Sequence, residues 1–206
     1  MTNKRFDASK LKPHRSLRVL SAAEELITET AFAGFSLDAV VERAGCSKST
    51  VYEYFGSKQG LVTALIEQVI AGFQEPFDDA LDTRLPITEG LFNYARTVLQ
   101  RVLSDRHIAL LRAIVNEQGR SPDLAKTYYR IGPQAAIKQV AEYISVVGPE
   151  NGMSFDDPID AAEMFYSGIF SRVYERLFGA ETQLKDAAID KEASRIVRLF
   201  MQLYGD

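Results

Sequence analysis

Residues 36–58 contain two short helical patterns with one glycine between them, and this stretch constrains the fold of the chain most tightly. Ser36 can cap the first helix, and Gly45 can end it because glycine tolerates the left-handed backbone found at helix ends. Ser47 can cap the second helix in the same way. Two short helices joined by such a tight turn predict a helix-turn-helix over about residues 37–56.

The second of these helices carries polar side chains where a core helix would carry leucines. Val51 and Phe55 lie at i, i+4 and predict one buried face. Tyr52 and Tyr54 lie two positions apart, so they cannot share that face. The second helix of a helix-turn-helix lies in the DNA major groove, so the pattern favours DNA binding over a plain helical hairpin in an all-α core. The candidate DNA contacts are Ser36, Ser47, Lys48, Ser49, Thr50, Tyr52 and Tyr54.

The run Ala44–Lys58 resembles the signature of TetR/AcrR-type transcriptional regulators. That signature is a Gly-x-Ser turn, a Thr-aliphatic-Tyr-x-(His/Tyr)-Phe recognition helix, and a Ser-Lys step that opens the next helix. The matching residues are Gly45, Ser47, Thr50, Tyr52, Tyr54, Phe55, Ser57 and Lys58. The chain departs from it at Ser49, where many members have glycine, and at Gln59–Gly60, where an acidic residue is frequent. The resemblance is specific over roughly residues 16–70.

This resemblance implies separate roles for the polar residues of the head. Lys58 would contact a DNA phosphate at the start of the next helix, where the helix N-terminus also favours an anion. Lys48 and Ser49, at the leading end of the recognition helix, would read bases, and the Thr50 hydroxyl would contact either a base or a phosphate. Tyr52 and Tyr54 would add hydroxyl contacts to the DNA backbone, unless one of them packs against the first helix.

Basic residues are concentrated at the start of the chain, although its net charge is −4. Six cations face only Asp7 in this leader: Lys4, Arg5, Lys10, Lys12, Arg15 and Arg18. Residues 1–15 are therefore either a solvated tail or an arm that adds phosphate or minor-groove contacts. Like-charge repulsion would keep the acidic remainder off the DNA.

Membrane and secretion signals are missing from the sequence. No stretch approaches the ~20 uninterrupted apolar residues of a membrane span, and no apolar segment follows the basic leader as in a signal peptide. A single cysteine, Cys46, excludes an internal disulfide and fits a reducing compartment. We expect a cytoplasmic protein that does not engage a membrane. Cys46 is either a small structural side chain or a redox sensor.

Helical periodicity continues to the end of the chain, with no alternating strand pattern and no internal repeat. The predicted fold is all-α: a three-helix head containing the helix-turn-helix, joined by a connecting helix to a helical ligand-binding and dimerisation body. The predicted domains are a basic arm (1–15), the head (16–75) and the body (76–206). The connecting helix begins at Lys58, and Pro76 is expected to end it.

The helix after Pro158 is apolar around most of its circumference, so it must be buried on more than one side. In a body of this size, that favours a partner subunit over a thick monomeric core. The resemblance implies a homodimer in which the last two helices of each subunit form a four-helix bundle. The residues predicted at this interface are Ala162, Gly168, Ile169, Val173, Ile196, Phe200 and Leu203.

The body also mixes aromatic side chains with isolated polar groups, which is how small-molecule sites are built. The candidate pocket residues are Phe92, Tyr94, His107, Arg112, Asn116, Tyr128, Tyr129, Phe165 and Tyr166. Each of them, taken alone, also fits an ordinary core or surface position. The segment from Ser121 to Pro133 resembles the C-terminal domain of AefR-like members and does not identify a ligand.

Catalysis finds little support in the sequence. The two histidines, His14 and His107, belong to no nucleophile arrangement. The chain has no Gly-x-Ser-x-Gly elbow, no Gly-rich phosphate loop and no Cys/His cluster with metal-ligand spacing. We expect a protein that is not an enzyme and uses no metal or cofactor.

The predicted function is ligand-responsive, sequence-specific regulation of transcription, by a repressor that a small apolar or aromatic effector releases from a double-stranded DNA operator. Two alternatives remain open. An architectural DNA-binding protein would bind duplex DNA whatever metabolite is present. A helical small-molecule-binding protein or enzyme would not bind duplex DNA.

Overall fold

The computed structural model describes residues 13–30, 35–119, 122–180 and 184–205, without the side chains of 13–14, 72–79 and 117. Within these residues there are ten α-helices and a 3₁₀-helix at Pro149–Asn151, and there is no strand. The all-α fold class is therefore confirmed. The α-helices are α1 (Pro13–Thr30), α2 (Leu37–Ala44), α3 (Lys48–Phe55), α4 (Lys58–Ala80), α5 (Ile87–Val102), α6 (Asp105–Glu117), α7 (Pro122–Ile131), α8 (Pro133–Val147), α9 (Pro158–Leu177) and α10 (Asp186–Tyr204).

Two helix ends differ from the sequence prediction. α4 runs through Pro76 to Ala80, so the prediction that Pro76 ends the connecting helix is wrong. A proline removes one backbone hydrogen bond and can kink a helix, but it does not force the chain to leave the helix. α1 begins at Pro13, three residues before the predicted start of the head. Residues 1–12 lie outside the described part of the chain, so the arm stays a prediction.

The chain forms two compact units. One contains the described residues of Met1–Gln68 and Ala109–Thr127, and the other those of Val69–Ile108 and Tyr128–Asp206. Helices α4, α6 and α7 each contribute residues to both units. The predicted boundary between a head and a body at residues 75–76 stays a prediction.

In the first unit, α1 packs against α2 and α3, and α2 packs against α3. Apolar residues from all three helices are almost inaccessible to solvent: Val19, Ala23, Ile27, Val40 and Val51. The predicted buried face of the second helix is confirmed, since Val51 and Phe55 both lie in this core. Lys48, Ser49, Tyr52 and Glu53 of α3 are exposed.

In the second unit, α5 packs on α10, and α9 packs on both α8 and α10. Its core holds large, buried side chains from all four helices. They are Leu91, Tyr94 and Leu99 from α5, Ile144 from α8, Phe165 and Ile169 from α9, and Phe200 from α10, whose ring packs edge-on against that of Phe165. An ion pair between Arg96 and Asp190, with N and O 2.6 Å apart, also links α5 to α10. No helix in the described ranges is long and apolar enough to cross a membrane.

The structure corrects which side chains of α9 and α10 a partner can reach. Five predicted interface residues are buried in the core of the single chain: Ala162, Ile169, Val173, Ile196 and Phe200. Gly168 faces the same core, because a Cβ there would lie 3.3 Å from Cγ2 of Ile196. Leu203 alone of the predicted set is strongly exposed, at 59%.

Other apolar residues of the same two helices are exposed. They are Ile159, Met164, Tyr174, Leu199 and Leu203, with Phe178 directly after the end of α9. We call Met164, Tyr174, Phe178, Leu199 and Leu203 the exposed apolar face. A helix that is apolar on nearly all sides does not reveal from its sequence which side enters the core.

Candidate nucleic-acid interface and candidate ligand cavity

The turn of the helix-turn-helix is fixed by capping interactions at both ends of α2. The Ser36 hydroxyl accepts a hydrogen bond from the backbone N–H of Ala39 at 3.1 Å. Gly45 adopts a left-handed conformation with φ +59°. The next N–H, that of Cys46, donates to the carbonyl of Val41 at 3.0 Å and closes the helix end. The chain therefore leaves α2 in one defined direction.

Three hydroxyl groups meet at the start of α3. Ser47 caps this helix by accepting from the N–H of Thr50 at 3.2 Å. Its Oγ is also 2.7 Å from Oγ of Ser49 and 2.9 Å from Oγ1 of Thr50. Ser47 and Ser49 are exposed and Thr50 is half-buried. Hydroxyls at a helix N-terminus can hydrogen-bond to phosphate oxygens or base edges, so this group suits the leading end of a recognition helix.

Lys48 is exposed beside these hydroxyls and forms an ion pair that the sequence analysis missed. Its ammonium lies 2.7 Å from the carboxylate of Asp38 on α2. The hydrogen bond to Asp38 and the charge of that carboxylate raise the pKa of Lys48. Spacing alone did not indicate the pair, because the two residues lie on different helices. An acceptor group on a base edge of bound DNA would compete with Asp38 for this ammonium.

The two tyrosines of α3 occupy different environments. Tyr52 is 49% exposed, to one side of the buried face that Val51 and Phe55 form. Tyr54 is half-buried, and its ring packs edge-on against that of Phe55 with the centroids 6.3 Å apart. Tyr52 is therefore the better placed of the two to contact DNA, while Tyr54 also has a packing role.

Lys58 begins α4 and is held by the segment that precedes α2. Its ammonium donates to the carbonyl of Phe35 at 3.0 Å and lies 5.1 Å from the centroid of the Phe35 ring. These contacts order the side chain at the start of α4. The predicted phosphate contact stays a prediction.

Arg18 has a structural role in this site that the sequence analysis did not find. Its Nη2 donates to the carbonyl of Ala44, the last residue of α2, at 2.7 Å. A Cβ at Gly45 would lie 3.1 Å from the same nitrogen. Arg18 therefore ties α1 to the turn that orients α3. The contact spans 26 positions of sequence, so no local pattern could indicate it.

Cys46 lies half-buried in this turn. Burial raises the pKa of its thiol, and the nearby charge of Arg18 offsets part of that effect. A raised pKa leaves less of the reactive thiolate at neutral pH. These surroundings favour the structural interpretation of Cys46 over a redox sensor.

The second unit contains a cavity of about 140 Å³. Its wall combines apolar side chains from α4, α5 and α7 with small residues at the start of α8 and three polar rings. The lining residues are Ile70, Val98, Val102, His107, Tyr128, Ile131, Gly132, Pro133, Ala135, Ala136, Gln139 and Tyr166. No aspartate, glutamate, lysine or arginine belongs to this lining among the residues whose side chains the structure describes.

His107 and Tyr128 form a buried hydrogen-bonded pair in the cavity wall. Nε2 of His107 lies 2.9 Å from the hydroxyl of Tyr128. Burial lowers the pKa of His107 to about 4 and raises the pKa of Tyr128 above its ordinary value. Burial likewise raises the pKa of Tyr166. The polar groups of the wall are therefore uncharged at neutral pH.

The structure brings some of the predicted pocket residues to this cavity. His107, Tyr128 and Tyr166 line it. The Tyr94 hydroxyl donates at 3.2 Å to the carbonyl of Ala136, a lining residue. Tyr94 therefore stabilises the cavity wall without being one of its described lining residues. Phe165 is buried, with its ring edge-on to Phe200.

The other predicted pocket residues lie elsewhere. Phe92 lines a surface groove beside α10, and Tyr129 is 55% exposed. Arg112 and Asn116 belong to the first unit, and Asn116 is exposed. The apolar lining residues were missed because nothing distinguishes them in sequence from core residues.

The buried His107 should make the protein sensitive to acid. Its pKa is lower in the folded state than in the unfolded chain, so below about pH 6.5 the unfolded chain binds a proton that the folded protein does not. We expect this group alone to lower the free energy of unfolding by about 2–3 kcal/mol between pH 7 and pH 4.5. Urea unfolding at both pH values should show that His107→Gln loses this part of the pH dependence. An unchanged pH dependence in the variant would contradict the assignment.

Two segments of the chain match known family models. Residues 19–65 match that of bacterial regulatory proteins of the tetR family. Residues 89–206 match that of the C-terminal domain of AefR-like transcriptional repressors. The chain belongs to the TetR family. TetR-family proteins are DNA-binding transcriptional regulators rather than enzymes, so the predicted family, the AefR-like body and DNA-binding regulation are confirmed.

Solved structures of TetR-family proteins share this fold. The flavonoid-responsive regulator FrrA is 30% identical to this chain, with 93% of this chain and 97% of FrrA covered and a TM-score of 0.73. A TetR-family regulator from Mesorhizobium loti is 21% identical to this chain, with 94% of this chain and 98% of that regulator covered and a TM-score of 0.81. The second likeness, at this identity, shows the fold alone.

Sequence relatives in the TetR family include EthR of Mycolicibacterium smegmatis, 33% identical over 69 residues, which are 34% of this chain and 32% of EthR. An HTH-type regulator of Mycobacterium tuberculosis is 39% identical over 25% of each chain. This chain therefore spans about a quarter to a third of the length of these relatives. YvkB of Bacillus subtilis is 23% identical over 78% of this chain and 82% of its own length.

Proposed function

We propose that the protein is a homodimeric repressor that a small apolar or aromatic effector releases from its operator. The cavity of the second unit is the observation that carries the effector part of this proposal, because it is lined mainly by apolar side chains with a few polar groups. The repressor part is supported by the family model of the body, which describes AefR-like repressors. As a regulator that binds operator DNA, it would act in the cytoplasm.

The exposed face of α3 is the proposed reading surface. Lys48 and Ser49 would contact base edges, since they lie at the leading end of the helix. Tyr52 would contact the DNA backbone with its exposed hydroxyl, and Lys58 would contact a phosphate from the start of α4. Ser36 and Ser47 would act mainly by capping their helices, which fixes the direction of α3.

The exposed apolar face is the proposed dimer surface. Its members lie on or next to α9 and α10, and their exposed fractions run from 45% for Leu199 to 81% for Phe178. Covering such side chains removes apolar area from water. The same face of a second subunit would cover these side chains through a two-fold symmetric contact. Two recognition helices would then read two half-sites about one DNA turn apart.

Helix α4 offers a route from the cavity to the DNA-reading part of the chain. It begins at Lys58 and carries Ile70 in the cavity wall. A ligand that displaces Ile70 would therefore act on a helix whose first residue is a proposed DNA contact. Coupling of this kind is typically about 1–3 kcal/mol, enough for roughly 5- to 150-fold weaker DNA binding.

The name of one structural relative supports an aromatic effector. FrrA is described as flavonoid-responsive, and 97% of its chain is covered by this one at 30% identity. The wall of the cavity here, with its tyrosine rings and branched aliphatic side chains, suits a ring compound.

Selection of genomic fragments that bind the purified protein tests this function. We expect a recurrent palindromic sequence whose complex dissociates when a ring compound that binds the protein is added. Random fragments without a shared sequence would favour the architectural alternative. Failure to bind any duplex would favour the small-molecule-binding alternative.

Removing the carboxylate that pairs with Lys48 should strengthen DNA binding. Asp38→Asn frees the ammonium and takes a negative charge away from the DNA surface, so we expect roughly threefold to tenfold tighter operator binding at low salt. Glu142→Gln is the matched control, since Glu142 is an exposed acid of α8 paired with Lys138. Fluorescence anisotropy at several salt concentrations would measure both. Equal effects of the two substitutions would show that overall charge alone is responsible.

A further inference from the structure

We propose that the cavity selects an uncharged, single-ring compound with one hydroxyl or carbonyl group, and that this group hydrogen-bonds to the Tyr128–His107 pair. This inference rests on the proposed effector site and names the chemical class that the site accepts. Charge, volume and hydrogen-bonding capacity each support it.

The described part of the cavity wall disfavours an ionic ligand. Among the described residues, the lining contains no carboxylate, ammonium or guanidinium, and burial keeps His107 and Tyr128 neutral at pH 7. A carboxylate or ammonium bound here would lose its hydration without gaining a counter-ion. A neutral ligand avoids this desolvation cost.

The volume of the cavity fits one ring. At about 140 Å³ it is close to the roughly 150 Å³ of an apolar protein cavity that binds benzene. Val98, Val102 and Ile70 can pack against the faces and edges of such a ring. A three-ring compound such as a flavonoid is larger than this volume and could place only part of itself inside, so it should bind less well than a single ring.

The Tyr128–His107 pair can serve either kind of polar group. If the Tyr128 hydroxyl donates to Nε2 of His107, its oxygen still accepts from a ligand hydroxyl. If the other tautomer of His107 donates to the Tyr128 oxygen, the Tyr128 proton is available to a ligand carbonyl. Both residues lie within the cavity wall, so one ring substituent can meet this pair while the ring contacts the apolar lining.

Calorimetric titration of the protein without DNA directly tests which chemical class of compound the cavity binds. The probes are p-cresol, toluene, p-toluate and the flavonoid naringenin. We expect p-cresol to bind about tenfold more tightly than toluene and at least about 100-fold more tightly than p-toluate. Naringenin should bind less tightly than p-cresol. Equal or tighter binding of p-toluate or naringenin, or no binding of p-cresol, would overturn the proposal.

A matched pair of variants locates the hydrogen bond. Tyr128→Phe removes only the hydroxyl and should reduce the p-cresol affinity about fivefold to tenfold while leaving toluene binding unchanged. Tyr129→Phe makes the same change at the adjacent, exposed position and should alter neither. Equal losses for both compounds in Tyr128→Phe would contradict a specific hydrogen bond.

The wild-type protein gives a test that does not depend on a variant folding. A nitrophenol that ionises near neutral pH should lose about tenfold in affinity for each pH unit above its own pKa, because only the neutral form binds. A constant affinity across that range would overturn the exclusion of charge.

Operator release is measured separately, so failure of the inference and failure of the proposed function can be told apart. If p-cresol binds with the expected selectivity but leaves the operator complex intact, the inference stands and the effector function fails. If a charged compound releases the operator and p-cresol does not bind, the function stands and the inference fails.

Discussion

Placing carboxylates on the exposed apolar face should separate the dimer into monomers and weaken operator binding by about 100-fold or more. In the double variant Tyr174→Glu, Phe178→Glu, charges replace side chains that are 56% and 81% exposed in the single chain. The subunit itself should therefore stay folded. The loss in DNA affinity arises because linked binding to two half-sites exceeds single binding by roughly 10²- to 10⁴-fold. Light scattering and anisotropy titrations measure the two effects.

The control for this experiment is Val146→Glu. Val146 is 62% exposed on α8 and lies outside the exposed apolar face, so its substitution should change neither the mass of the dimer in solution nor its affinity for DNA. Phe200→Asp is not a suitable probe, because Phe200 is 4% exposed and its replacement would break the core of the subunit. A double variant that remains dimeric at micromolar concentration would contradict the proposed surface.

Adding a branched side chain at the turn before α3 should abolish most operator binding without affecting the cavity. Gly45 has φ +59°, and a Cβ there would meet Nη2 of Arg18 at 3.1 Å. Gly45→Val therefore strains the turn and displaces the arginine that holds α1 to the end of α2. Because the orientation of α3 would change, we expect roughly 100-fold weaker operator binding.

Gly152→Val provides the matched control, since Gly152 also has a positive φ, of +74°, but lies in the second unit. Both substitutions should lower the melting temperature, whereas only Gly45→Val should weaken DNA binding. Binding of p-cresol should persist in Gly45→Val. If the two glycine variants weaken DNA binding equally, general destabilisation rather than the turn geometry would be the cause.

Local signals account for most of what the sequence predicted correctly. Ser36 and Ser47 are capping residues whose neighbours lie within a few positions, and both cap the helices they were predicted to cap. Pro122 and Pro158 likewise stand at the first positions of α7 and α9. Such features act over one helical turn, so the sequence alone specifies them.

Contacts between distant parts of the chain account for what was missed. The bond from Arg18 to Ala44 and the pair of Lys48 with Asp38 join residues on different helices. The cavity wall similarly collects residues from Ile70 to Tyr166. In α9 the sequence showed that two sides are apolar, but only packing assigned Ile169 to the core and left Tyr174 outside.

The ratio of affinities for the selected operator and a scrambled duplex tests the central claim most directly. The wild-type protein should prefer its operator by about 10³-fold or more at physiological salt. Lys48→Ala and Ser49→Ala should reduce that ratio, by up to about 100-fold where a base contact is lost. Lys58→Ala should instead weaken binding to both duplexes by the same factor, so that the ratio stays unchanged. A wild-type ratio near one, or a ratio that none of the α3 substitutions alters, would contradict the account.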